Sequence, residues 1–143
     1  MITKANIESI IDKVEFIDSI IGIAGVLIII SAALFVQFFL HELPCPLCEL
    51  QRAAFISIGI GLLMNVRYGN KASHWGVVIL SACAGIAVSI RQILLHISSP
   101  VGFGSTMLGL HMYSWCFIGF ALAIVGSAVM LIIYPEKKNQ TPV

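Results

Sequence analysis

The chain has 143 residues, 59% hydrophobic and only 10% charged, with a formal net charge of +1. An average soluble domain carries about 25% charged residues, and a chain this small buries only about 60–70% of its surface. With a mean hydropathy of +1.00, a soluble globule is excluded, and so are a disordered chain and a nucleic-acid binder, which need more charge or a basic stripe. An integral membrane protein remains, one domain over residues 1–143. Its four cysteines and four histidines point to thiol chemistry.

Residues 1–18 place Ile7, Ile10, Ile11, Val14 and Ile17 at helical spacing, with Glu8, Asp12, Lys13 and Glu15 between them. This pattern predicts a short amphipathic helix on a membrane surface. It is not a signal-peptide n-region, because it is acidic as well as basic. Four hydrophobic blocks follow, predicted as spans at about 19–40, 49–66, 75–95 and 112–134. Each can cross a hydrocarbon core of about 30 Å, the second only if its helix begins near Cys48. Outer loops are expected at 41–48 and 96–111. The blocks lack the alternation of barrel strands, and open sheets cannot span lipid. The expected fold class is therefore all-α: a four-transmembrane-helix bundle with an N-terminal interfacial helix. Ser81, Gly85 and Ser89 recur every four positions on span three and mark a close packing face.

Lys4, Lys13, Arg67, Lys71, Lys137 and Lys138 fall on one side of such a bundle, while the loops HELPCPLC and HISSPVGFGSTMLGLH contain no Lys or Arg. The positive-inside rule then puts both termini in the cytoplasm.

Cys45 and Cys48 form Cys-Pro-Leu-Cys just before span two, facing an oxidising compartment where a disulfide persists. If the span starts at the motif, Pro46 suits its first turn. The thiols then lie near free backbone N–H groups, which lower a thiol pKa. Arg52 follows Cys48 by four residues on the same helix face, placed to stabilise a Cys48 thiolate. A c-type haem site is excluded, because Glu49 stands where a histidine is required. Two other readings of the pair stay open. One is a metal site completed by His41, His96 and His111; the other is a structural disulfide. Cys83 and Cys116 differ in predicted depth by about 12 Å at 1.5 Å per residue. That is too far for a disulfide, so both are expected as packed small side chains.

Arg91 near the outer end of span three reads as a snorkelling side chain. Gly102, Gly104 and Gly109 predict irregular backbone in the second outer loop, and Tyr113 and Trp115 predict an interfacial aromatic pair. His96 and His111 flank that loop, placed to donate a hydrogen bond or proton to a bound ring. A cation such as Arg52 beside an apolar cavity suits an electron-accepting ring whose oxygens become anionic on reduction.

The run Cys45-Pro-Leu-Cys48-Glu-Leu-Gln-Arg52 at the start of a second span resembles the signature of the disulfide bond formation protein B (DsbB) family. That signature is Cys-x-x-Cys with an arginine four residues on. RQILLH at the end of span three and GFGSTMLGLHMYSW before span four are similar to shorter members, so the resemblance covers roughly residues 20–133. It implies a bacterial inner-membrane thiol oxidase. Such a protein reoxidises a soluble, DsbA-like thioredoxin-fold partner and passes the electrons to a membrane quinone, ubiquinone or menaquinone. Cys45 and Cys48 would be the redox pair. Arg52 would hold the quinone ring, with His96 near it. The resemblance departs at one point: residues 97–111 contain no cysteine, so the second outer-loop pair of fuller members is missing. A metal-binding protein and a structural subunit with an inert disulfide are the alternative readings.

Overall fold

The computed structural model describes residues 4–39, 41, 43, 45–98 and 106–133. Gly102, Gly104, Lys137 and Lys138, named above, and the expected span ends at 40 and 134 lie outside the described residues. Four helices run in chain order: α1 (Lys4–Phe39), α2 (Pro46–Tyr68), α3 (Ala72–His96) and α4 (Met112–Ile133). All four are long and apolar enough to cross a membrane. The N-terminal stretch is helical, but it runs into the first span as one 36-residue helix. No glycine or proline interrupts the chain between Lys4 and Ile21, so nothing separates a surface helix from the span.

The helices alternate in direction. Cys45 is the N-cap of α2, and Gly69, at φ 78°, stands just past its end. Only residues 69–71 join α2 to α3, so the two pack antiparallel as a hairpin. Their buried residues follow a three-four spacing: Gln51, Phe55, Ile58, Leu62 and Asn65 on α2, and Trp75, Val78, Ala82, Gly85, Ser89 and Gln92 on α3. This is the seam of a left-handed helix pair. The predicted small-residue row is therefore displaced by one position. Gly85 and Ser89 are buried, but Ala82 rather than Ser81 continues the row, because the seam alternates three and four residues.

Burial alone supplies no drive between helices in lipid, so shape and polar pairs must hold the bundle. Gly61 lets Val78 approach so closely that an added Cβ would meet its Cγ2 at 2.7 Å. Phe55 and Phe120 stack with ring centroids 4.1 Å apart and join α2 to α4. At one end of the seam His74 Nδ1 and Asn65 Oδ1 lie 3.0 Å apart. At that same end Asn70 donates to Glu15 and accepts from Trp75, which ties α1 to the α2–α3 turn. Near the other end Gln51 donates to Ser89 at 3.0 Å.

The described end of the second outer loop, residues 106–111, forms a hairpin. Thr106–Met107 (β1) and Leu110–His111 (β2) pair antiparallel around Leu108 and Gly109, both at positive φ. Two consecutive positive φ values give the tight hairpin turn that matches strand twist. Cys83 also departs from expectation: it is exposed on the outer face of α3 rather than packed.

Candidate functional site

The Cys-Pro-Leu-Cys motif is built into the start of α2. Cys45 takes an extended backbone, and its Sγ accepts the Cys48 N–H at 3.1 Å, as a capping serine would. Its carbonyl accepts the Glu49 N–H at 3.2 Å, and Pro46 occupies the first turn. Both cysteines are free thiols, each half-buried. Burial and the neighbouring Cys48 push the Cys45 thiol above its ordinary range, against the lowering contribution of the Cys48 and Leu47 backbone N–H groups. The expected lowering by the helix N-terminus is thus outweighed at Cys45, because desolvation disfavours the thiolate more than two N–H groups favour it.

Beside the motif, α1, α2, α3 and the start of α4 enclose a cavity with about 720 Å³ of empty space, its open side included. Ile29, Ala33, Val36 and Phe55 form apolar wall, and Cys48, Arg52, Gln37, Gln51, Gln92 and Tyr113 supply polar groups. An apolar pocket with a few convergent polar groups is the usual form of a small-molecule site. Cys48 borders it with Cys116, while Cys45 is not among the lining residues.

Arg52 lies on the cavity wall, but its hydrogen bonds run to α1: Nη1 donates to Gln37 Oε1, and Nη2 to the Ala33 carbonyl at 3.1 Å. The side chain that reaches the sulfurs is Gln92 of α3. Its Nε2 lies 3.5 Å from Cys45 Sγ and 3.4 Å from Cys48 Sγ. Sequence reasoning missed Gln92, Gln51 and Gln37. The available signal was three glutamines inside otherwise apolar spans.

His96 and His111 do not border the cavity. Each stacks against Tyr113, with ring centroids 5.7 and 5.2 Å from it. Tyr113 itself is buried and lines the cavity; Trp115 is exposed. Arg91 is exposed. Cys116 is not merely packed, because it forms part of the cavity wall. Among the described residues no three His, Cys, Asp or Glu side chains converge as metal ligands.

The family model for disulfide bond formation protein DsbB matches residues 19–105, more than half of the chain. The chain belongs to the DsbB family. Among curated members, it is 40% identical over 77 residues to disulfide bond formation protein B of Cupriavidus necator, a match covering 53% of this chain and 48% of the relative. It is 44% identical over 80 residues to that of Pseudomonas syringae pv. tomato, covering 52% and 47%. With the Chromobacterium violaceum protein it shares 43% identity over 71 residues, covering 47% and 43%. The chain thus spans about half the length of the curated relatives it matches. No solved structure matches it. Its four apolar helices, with this family, make it a multi-pass membrane protein.

Proposed function

We propose that this DsbB-family protein is a membrane thiol oxidase that forms disulfides in a soluble, DsbA-like thioredoxin-fold partner and hands the electrons to a membrane quinone. Its place would be the bacterial inner membrane, with both termini cytoplasmic. Lys13, Arg67 and Lys71 lie at the end of the bundle opposite the cysteines, which suits that orientation. The observation that carries the reading is the division between the two cysteines: Cys48 borders the cavity and Cys45 does not.

In the oxidised protein, a partner thiolate attacks Cys45, forms a mixed disulfide and releases Cys48. Cys48 borders the cavity and Cys45 does not, which favours this direction of opening. The partner's second thiol then displaces Cys45 and leaves with its own disulfide. Cys45 and Cys48 are left reduced, holding two electrons and two protons to pass on.

The cavity fits an aromatic ring bearing carbonyl oxygens. Its wall is apolar, and Arg52, Gln37 and Gln51 offer polar groups at its edge. Bound there, a quinone would supply the two-electron acceptor. Arg52, held in place by Gln37 and Ala33, would orient a ring oxygen and favour negative charge on it. His96 and His111 would act through Tyr113, fixing the ring that closes one wall.

The test is to reduce the purified protein, add a soluble quinone anaerobically and trap free thiols over time. Loss of the Cys45 and Cys48 thiols with matching quinol formation is expected. Persistent thiols in protein shown to bind the quinone would overturn the reading.

A further inference from the structure

The carboxamide of Gln92 is 1% exposed and stands within one span of an apolar bundle. An amide buried this deeply is unfavourable unless its polar atoms are used. Half of it is: one nitrogen with two N–H donors faces two sulfurs, at 3.4 and 3.5 Å. The other half is not. Its Oε1 is buried and has no hydrogen-bond partner among the described residues. The amide is therefore oriented by the sulfurs and by no competing partner.

Its height on α3 is set by the seam. Ser89, one turn earlier, is bonded to Gln51, which itself follows Cys48 by one turn. That buried pair locks the register in which Gln92 meets the dithiol. Meanwhile the hydrogen bonds of Arg52, the cation nearest in sequence, go to α1.

We propose that Gln92 is the positioning residue of the dithiol: its one carboxamide holds the Cys45 and Cys48 sulfurs together and donates to whichever carries negative charge. Its catalytic consequence rests on the thiol-oxidase reading, but the contact itself does not. Donation to a thiolate stabilises the reduced pair, and a stabilised reduced pair makes its disulfide the stronger oxidant.

The experiment uses the full chain in detergent, reduced and without quinone. Alkylation of Cys45 and Cys48 by iodoacetamide is followed against pH, with each site resolved by mass spectrometry. Gln92→Leu keeps the bulk and removes both donors. Gln92→Asn keeps the amide but draws it back by about one C–C bond, roughly 1.5 Å, and tests the same point if the leucine variant does not fold. The expected result is slower alkylation of Cys48 at pH 7, by about tenfold in the leucine variant, as a shift of about one pH unit would give. The asparagine variant should fall between. In a glutathione buffer at a pH high enough to ionise the reduced pair, the same tenfold change in ionisation appears as a potential about 30 mV more negative.

Alkylation profiles and potentials that superimpose on wild type in the folded variants would overturn the proposal. Wild-type protein assayed with soluble quinone separates the two readings. If it reduces no quinone while the alkylation shift is present, the role of Gln92 stands and the quinone reading fails. Quinone reduction with no alkylation shift gives the reverse.

Discussion

Phe120 fills the space that Gly85 leaves open. A Cβ added at Gly85 would lie 2.4–2.5 Å from three carbons of the Phe120 ring. That ring is fully buried and stacked on Phe55, so it has no free direction in which to move. Gly85 thus joins α3 to α4 by being absent as a side chain, one turn from Ser89 and two from Gln92.

Gly85→Ala is therefore expected to destabilise the bundle by about 1–3 kcal/mol, the usual cost of overpacking. Gly76, where nothing lies within 4 Å of an added Cβ, is the control. Thermal unfolding in detergent, compared between Gly85→Ala and Gly76→Ala, checks the difference. Equal melting temperatures would show that the Phe120 contact is not tight.

Replacing Cys45 or Cys48 with Ala should abolish thiol oxidation. The two should fail differently. Cys48→Ala leaves Cys45 free to displace a small thiol from a thioredoxin-fold partner whose single remaining cysteine carries that thiol as a mixed disulfide. The Cys45–partner bond then lasts, because neither protein keeps a second thiol to resolve it. Cys45→Ala should trap none. Non-reducing electrophoresis with the partner present distinguishes them, and normal turnover in either variant would sink the mechanism.

Arg52→Ala should weaken quinone use more than partner exchange. Loss of a charge-assisted hydrogen bond worth about 1.5–3 kcal/mol raises the quinone KM by about ten- to a hundredfold. Gln37→Leu removes one of the two acceptors that hold Arg52 and should give a smaller rise. Steady-state kinetics with the quinone and the thiol substrate varied separately provide the check. Equal loss of both steps would argue against a ring-binding role.

Cys116 borders the cavity with Cys48. Cys116→Phe should fill part of that space, raising the quinone KM while disulfide exchange at Cys45 with a small dithiol continues. Loss of exchange in folded protein would show that the cavity and the outer thiol are not separable.

The raised pKa of the Cys45 thiol fixes the direction of a pH effect. With the folded value above the unfolded one, the folded state holds the proton through a window where the unfolded chain has lost it. Stability is unaffected below the ordinary cysteine range and falls as pH rises from there through the folded value. In the same window Cys45 alkylation should lag behind that of an unperturbed thiol. A rate–pH curve placed below that of a free cysteine would contradict the burial seen here.

Much of this was legible along the chain. Four apolar blocks, basic residues away from the cysteine loop, and Pro46 inside a Cys-x-x-Cys gave the helices and the start of α2, because lipid forces each span to satisfy its own backbone. The motif also pointed to Cys45, Cys48 and Arg52 as one group. The inner half of the site was not legible. Gln92 lies 44 residues from Cys48, and nothing local distinguishes it from any polar residue in a span. Nor was the stacking of His96 and His111 on Tyr113, a ring that lines the cavity, legible from the loop they flank.

What the sequence by itself determined is what depends on near neighbours: which segments are helices, where α2 is capped, and that two thiols and a cation share its first turns. The tertiary structure alone decided which of those groups touch. Helix register is set by shape across the seam, by Gly85 against Phe120 and Gln51 against Ser89. That register turns Arg52 toward α1 and brings the Gln92 amide to the sulfurs.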